Sequence, residues 1–486
     1  MTNLKELDIH PTDEITVIKL QGEPYQTKET DCTNTLEKLA FNARYAEQLI
    51  LNIQESEYLL TPLFEGGYYG IDAKLKKGFS LSFSEAFSLM TFVSMGVNKA
   101  VYKNLSDRIQ IGATDPETIF HQSIALLSAI SAKEGFVGPT PEEIAGLTAA
   151  TLKIDTITRV PASEPVIGIG GMGGDRGYPT NGERSKLFSL STLGAIGLSN
   201  FSFVHKHHSY PNTSKVAGQS AIEAFGARSD QDTPEDFRSI QEDTHLLMSS
   251  CHTTRLVHTL SHKLKGETIN HIVGPLSIPV SAETPVHAFV GVNDNVHPED
   301  VIMALKIMQD HGIQQYRNSV AFCGLNTQKI NPDILDPDRY YKQLELKQQI
   351  AIDEVAPPPY PTMASFLVNG ENAGTFIIQS EDFLNSEFLD QVDFSTLFIP
   401  NTSESILSAN QSVINGLDLP KCIYVAMTVA LGIFTKEYSH LPEALNKKNR
   451  RVNSQMLQEA FIRALDSITN GNMKTKLDDY VKATQQ

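Results

Sequence analysis

The chain contains no tryptophan and only four cysteines, Cys32, Cys251, Cys323 and Cys422, in 486 residues. The cysteines are scattered and form no CxxC pair. That argues against a structural zinc site and suits a reducing, cytoplasmic setting. Positive charge is also short: 40 Lys and Arg stand against 57 Asp and Glu, for a net charge of -17. Binding to nucleic-acid phosphates needs a wide basic surface, so a nucleic-acid partner is not expected. No apolar run approaches the roughly 20 residues of a membrane span, so no membrane partner is expected either. The opening MTNLKELDIHPTDE is polar and acidic where a secretory signal would need a basic and then an apolar stretch. The length exceeds what one hydrophobic core normally holds, and two or three domains are expected.

Against this acidic background one island stands out. Residues 168–174 carry five glycines, Gly168, Gly170, Gly171, Gly173 and Gly174. Between Arg176 and Ile222 the only acid is Glu183, whereas Arg176, Arg184, Lys186, Lys206 and Lys215 are basic. His205, His207 and His208 lie beside them. A locally basic, glycine-rich segment in an acidic chain reads as a pocket for a small anion.

Along the chain, residues 1–75 form an extension of unassigned role, with a predicted strand at ITVIKLQG and an amphipathic helix at NTLEKLAFNARYAEQLILNI. Residues 76–158 read as a helical domain. Its segments SFSEAFSLMTFVSMGV, DPETIFHQSIALLSAIS and TPEEIAGLTAATLKI each open with a polar cap, and Thr140 with Glu143 forms a capping-box signature. Residues 159–486 read as α/β. Strands are predicted at PVIGIGG, FSFVHKH, HAFVGV and NSVAFCG, and helices at LSTLGAIGL, SKVAGQSAIEAF and PEDVIMALKIMQDHG. The stretch PEDFRSIQEDTHLLMSSCHTTRLVHTLSHKLKG reads as one long helical segment, and the helices near 233–266 are candidates to join the helical domain. EVAPPPYPT is a stiff proline-rich joint; strand character recurs at GTFIIQS, and helices dominate from Asn410 onward. The alternation predicts a mostly parallel sheet covered by helices.

Glycines after a strand let backbone N–H groups converge on phosphate with no Cβ in the way. Gly168, Gly170 and Gly173 also match GxGxxG, but that dinucleotide loop must open straight into a helix. Here Pro179 and Gly182 oppose one, and the next strand ends in Lys and His rather than an acid. In SLST, Ser189, Ser191 and Thr192 fall at a predicted helix start, where free N–H groups favour an anion. FVHKHH places His205 and His207 on one strand face and Lys206 and His208 on the other.

Together these motifs resemble the anthranilate phosphoribosyltransferase family. GMGGD, SLST, KHH, TS and IEAFG follow in the order of the family's GTGGD, NIST, KHGNR, SS and LEALG. TPEEIAG, VGPLSIP and ALDSITNGNMKTKL extend the likeness, and YPTNGERSK is similar to the YNGARK loop of the family's nucleic-acid-binding paralogues. The resemblance implies a small helical domain packed on a larger α/β domain with a mostly parallel central sheet, a homodimer, and a phosphoribosyl pyrophosphate donor bound with magnesium. It implies that Gly171, Gly173, Gly174 and Asp175 line the donor. Ser191 and Thr192 would hold its pyrophosphate, with Ser191 also touching a metal, and Ser189 would lie beside them. Lys206 and Ser214 would meet phosphate, with Arg176, Arg184 and Lys186 as further basic contacts. His207 and His208 are the candidates to polarise or deprotonate the acceptor, and Asp175 is the acid left in the site.

Departures from the family shape the expected activity. Ser189 replaces the family asparagine, and His208, Ser209 and Tyr210 replace GNR. The acceptor-reading arginine, expected near Ser261 or His262, is missing there. The acidic pair that holds magnesium, expected near Asn326 and Thr327, is missing there too. The reading is therefore a pentosyltransferase moving a phosphoribosyl group to an acceptor other than anthranilate, with any magnesium carried in by the donor. The alternatives are a nucleoside phosphorylase, or a non-catalytic nucleic-acid- or ligand-binding paralogue.

Overall fold

A computed structural model describes residues 43–109, 115–156, 159–173, 177–180, 183–185, 187–211, 215–229, 231, 234–264 and 268–486. The predicted strand at ITVIKLQG lies outside these residues. The helix predicted over 34–53 is described as α1, Ala43–Glu55. It is followed by α2 (Thr61–Lys76), α3 (Phe83–Val97), α4 (Pro116–Val137) and α5 (Pro141–Ala150). Ser82 with Glu85 and Thr140 with Glu143 both form complete capping boxes, and Asp115 caps α4. Each satisfies N–H groups that a helix start leaves open. α3 is buried from Phe83 to Met95 with only Ser84 and Glu85 partly open. Such a helix, apolar nearly all round, belongs at the centre of a bundle, and α3 packs on both α4 and α5.

Ten strands form one sheet in the order β11-β12-β10-β9-β7-β6-β1-β4-β5, with β8 paired to β7. Its parallel centre comprises β1 (Val166–Gly171), β4 (Phe203–His208), β5 (Leu246–Ser250), β6 (Val286–Gly291) and β7 (Ser319–Leu325). A separate hairpin joins β2 (Tyr178–Thr180) to β3 (Glu183–Ser185). β8 (Ile350–Ile352) and β9 (Thr362–Val368) run antiparallel to β7, and β10 (Glu371–Ile378) antiparallel to β9. β11 (Leu445–Asn446) and β12 (Arg451–Val452) complete the edge. Helices cover both faces: α6 (Leu190–Leu198), α7 (Gly218–Ala224), α8 (Pro234–Thr244), α9 (Leu256–Leu264), α10 (Asn270–Leu276), α11 (Pro298–Asp310), α12 (Ser403–Ile414), α13 (Leu419–Glu437), α14 (Ser454–Thr469) and α15 (Asn472–Thr484). The fold is thus α/β with a mostly parallel sheet and a helical layer against it.

The single long segment expected from Pro234 to Gly266 is not what forms. His245 turns to φ 60° and ends α8, and β5 follows at once. Leu246, Leu247 and Met248 are all fully buried, so the strand shows no inside-outside alternation and reads equally well as a buried helical run. The break also divides the segment's packing. α8 lies on β5 and α15, whereas α9 packs on α3 of the helical layer. Among the described residues one helix, Leu419–Glu437, is long and apolar enough by composition to cross a membrane. It is mostly buried inside the protein, against α6 and α14, and that burial accounts for its composition.

The chain passes from β1 to β4 and β5 on one side, then returns to β6 and β7 on the other. β1 is therefore the strand at which the order reverses, and ligand sites in open parallel sheets lie outside the carboxyl ends of the strands at such a point.

Candidate active site

A cavity of about 360 Å³ opens at the carboxyl ends of β1 and β4. The glycines of β1 divide into two kinds. A Cβ on Gly168 would meet the Ile278 side chain at 2.3 Å, and one on Gly170 the Pro275 Cβ at 2.7 Å, so these two serve packing. Gly171 and Gly173 face the cavity. After Gly173 the next described elements are the two strands of the β2–β3 hairpin, and among the described residues no helix begins before Leu190, which opposes the dinucleotide loop that GxGxxG suggested. The hairpin is pinned by Tyr178, buried against Tyr360, Phe394 and Phe398, with its hydroxyl donating to Leu325 O at 3.1 Å.

Across the cavity α6 points its N-terminus inward, and Ser189, Leu190, Ser191 and Thr192 line the wall. Lys206 lies beside them and donates from Nζ to Ser191 Oγ at 3.1 Å. Burial pushes its ammonium down, and the carboxylates of Glu354 and Asp353 pull it back up. His207 and His208 also reach the cavity, because both faces of β4 are accessible where the strand ends. His205, one residue pair deeper, does not line it; its Nε2 meets Ser249 Oγ at 2.7 Å. His207 Nε2 meets Thr254 Oγ1 at 2.8 Å. Burial drives His207 well below its ordinary value and His208 down to about 3, so both rings are neutral at pH 7.

The acidic pair thought absent is present elsewhere. Asp353 and Glu354, directly after β8, line the same cavity and act electrostatically on Lys206. Asp353 Oδ2 accepts from the Gly173 amide at 2.8 Å, and a Cβ on Gly171 would strike that same oxygen at 2.4 Å. Glycine at 171 is what lets the carboxylate approach the loop. Asn326, where the pair was sought, is turned to Gln348 O at 2.6 Å and stays outside the cavity. The segment IAIDEVAPPP held the signal: adjacent acids between a short apolar run and a proline joint. It reads as a linker until β8 is seen to pair with β7 and carry its end to the cavity.

An arginine is present too, though not at Ser261 or His262. Arg255, just before α9, lines the cavity and is 3% exposed. Its guanidinium donates to Ser277 Oγ and, at 3.0 Å, to Cys251 Sγ, while its Nε is unsatisfied. No carboxylate lies within ion-pair distance of it among the described residues. Asp155, the acid acting on it through space, is engaged by the Val257 amide at 3.0 Å. His258, Ser261, His262, Thr268, Asn270 and His271 complete this end of the cavity.

Gly174, Asp175, Arg176, Lys186 and Ser214 lie outside the described residues, as does the side chain of Arg184. Ser189, Ser191, Thr192, Lys206, His207, His208, Gly171 and Gly173 are brought together around one cavity. Among the described residues no cluster of three or more His, Cys, Asp or Glu side chains forms a self-sufficient metal site. A carboxylate pair beside a hydroxyl instead suits a hard cation that brings further oxygen ligands with it.

Fold and site together define an α/β protein with an anion-suited cavity at the carboxyl ends of its parallel strands. The chain matches no protein-family profile. In sequence it is similar to the anthranilate phosphoribosyltransferase of Methanococcus maripaludis strain C6, 31% identical over 172 residues, which is 35% of this chain and 49% of the relative. The Pyrococcus furiosus enzyme of the same name is 29% identical over 188 residues, 38% of this chain and 52% of that one. The chain thus spans about half the length of these curated relatives. In structure it is similar to the anthranilate phosphoribosyltransferase of Thermus thermophilus, with TM-score 0.58 and 16% identity over 86% of this chain and 99% of the other. It is also similar to the Saccharomyces cerevisiae enzyme in complex with PRPP and Mg, with TM-score 0.58 and 16% identity over 87% and 98%. The chain has the fold of the anthranilate phosphoribosyltransferases, and the family resemblance read from its motifs holds at low identity.

Proposed function

We propose that the protein is a phosphoribosyltransferase that uses a phosphoribosyl pyrophosphate donor and an anionic acceptor other than anthranilate. The observation that carries the reading is the pairing of an anion cradle with two carboxylates in one cavity. The start of α6, Ser191 and Lys206 suit phosphate, while Asp353 and Glu354 beside them would repel it. The arrangement would be coherent with a divalent cation to neutralise the carboxylates and the phosphate together, and a pyrophosphate donor would bring one. A nucleoside phosphorylase, working with phosphate alone, gives the carboxylates no such role. The reading as a non-catalytic paralogue rested partly on a missing acidic pair, and Asp353 with Glu354 removes that ground.

Asp353, Glu354 and the Ser191 hydroxyl would hold magnesium, which supplies charge neutralisation for the departing pyrophosphate. The acceptor's nucleophilic atom bonds to the anomeric carbon as the carbon–oxygen bond to pyrophosphate breaks. The bonding pair leaves with pyrophosphate, and positive charge builds on the ribose in between. Lys206 and the α6 amides stabilise the leaving anion, and they are preorganised to do so. His207 or His208, both kept neutral by burial, would polarise the acceptor or take its proton. Arg255 is the reason for an anionic acceptor: a buried guanidinium without an ion pair is costly until an anion meets it. The choice against anthranilate itself rests on the sequence: His208, Ser209 and Tyr210 stand in place of GNR, and no arginine stands at 261 or 262. The resemblance also implies a homodimer, and Leu51, Tyr58, Tyr69 and Phe79 leave apolar surface on the helical layer for one.

Thermal shift with phosphoribosyl pyrophosphate, with and without magnesium, tests the donor. At about 100 times its dissociation constant a ligand adds about 2.7 kcal/mol. A melting point unmoved by donor plus magnesium overturns the reading. For the acceptor, the donor-loaded protein should favour benzoate over neutral benzamide, and Arg255→Gln should abolish that preference. Equal binding of the two probes by the unsubstituted protein removes the anionic acceptor.

A further inference from the structure

Ser189 stands at the N-cap of α6, yet its side chain makes no capping bond. Its hydroxyl is held from outside the helix. Asn410, on α12 and 0% exposed, donates from Nδ2 to Ser189 Oγ at 3.0 Å and accepts the Ser189 amide on Oδ1 at 3.0 Å. Asn410 does not itself line the cavity. A serine at an N-cap would ordinarily turn its oxygen onto the amides two and three residues ahead, here those of Ser191 and Thr192. Among the described residues those two amides have no acceptor, and both residues face the cavity.

We propose that Asn410 is a positioning residue that withholds the helix's own cap and so keeps the Ser191 and Thr192 amides open for the donor's phosphate. The proposal rests on the donor reading above. An amide side chain suits this role, because its donor nitrogen and acceptor oxygen, both bonded to Cγ, engage the acceptor and donor of a single serine. An uncapped helix start is normally a defect of stability. It becomes useful where an incoming anion supplies the missing acceptor. The clamp would also explain why serine can stand where the resemblance led us to expect an asparagine. The hydroxyl of Ser189 is turned into the protein, so this residue contributes position rather than a ligand atom.

The test is a comparison of Asn410→Ala with the double variant Asn410→Ala/Ser189→Ala in the full-length chain. The probes are phosphoribosyl pyrophosphate with magnesium and inorganic pyrophosphate with magnesium, followed by calorimetry. Without Asn410, Ser189 is free to cap α6, and affinity for both probes should fall about tenfold. Deleting the hydroxyl as well removes the competing cap, so the double variant should recover most of the lost affinity while remaining as easily melted as the single one. A double variant as weak as Asn410→Ala, or weaker, reduces Asn410 to a packing residue and overturns the proposal; so does unchanged affinity in Asn410→Ala. Should Asn410→Ala not melt cooperatively, Asn410→Ser, alone and with Ser189→Ala, gives the same comparison. If the unsubstituted protein binds pyrophosphate but not the donor, the donor reading fails while the clamp is still decided by pyrophosphate. If it binds neither, both fail.

Discussion

At the scale of single residues, Lys206 is the side chain on which the site turns. It is buried, bonded to Ser191 Oγ at 3.1 Å and balanced by Asp353 and Glu354. A charge-assisted contact of this kind is worth about 1.5–3 kcal/mol. Lys206→Ala should therefore weaken the magnesium–donor complex by at least about tenfold, measured by calorimetry, and undiminished affinity would take Lys206 out of the site. The lysine and its flanking histidines were legible as residue types in FVHKHH. Their grouping came from the family resemblance and not from the strand pattern, which puts Lys206 and His207 on opposite faces. The end of a strand, where backbone pairing stops, lets both reach one cavity.

At the scale of elements, α5 shows how a local signal and a tertiary contact differ in weight. Thr140 accepts the Glu143 amide at 3.3 Å, and Glu143 returns a bond from the Thr140 amide at 2.8 Å. The same carboxylate also takes the Leu81 amide at 2.9 Å and pairs with Lys133 at 2.8 Å, with side-chain exposures of 0% and 3%. Thr140→Ala removes one cap and should cost about 1 kcal/mol. Glu143→Ala leaves a buried ammonium without its partner and should cost about 3–5 kcal/mol. Denaturant melts of the two variants check the order, and equal losses would contradict it. The capping box was visible in TPEEIAG; the ion pair was not, since nothing local ties Lys133 to Glu143. β5 was lost for a related reason, as a strand buried on both faces carries no period to read.

At the scale of the whole molecule, buried ionisable groups set the response to acid. Burial lowers His205 and His208 to about 3, His287 and His297 to about 4, and His207 well below 6.5. A histidine depressed in the folded state adds stability that is present above its unfolded value near 6.5 and is lost as pH falls towards the folded value. Burial raises Asp155 and Asp300 to about 7, which works in the opposite sense: their stability is present below about 4 and is lost as pH rises through 7. The histidines outnumber the aspartates, and each unopposed group contributes about 1.4 kcal/mol per pH unit. Melting temperature should therefore drop between pH 7 and pH 5, and His208→Gln should flatten the slope. A melting temperature that holds or rises on acidification would refute this balance.

The sequence alone determined what depends on neighbours in the chain. The glycine run, the capped helices of the helical layer, the 190–198 helix and the strands at FSFVHKH, HAFVGV and NSVAFCG all follow from local sterics and short-period patterns. With the order of its motifs they were enough to indicate the fold. The tertiary structure decided what depends on groups far apart. Asp353 lies 180 residues from the Gly173 amide that it accepts, and Asn410 lies 221 residues from the serine that it clamps. Arg255 became a site residue only when α9 and α10 closed one end of the cavity. Periodicity and capping act within a few residues, whereas a binding site is assembled by chain reversals that a linear pattern does not encode.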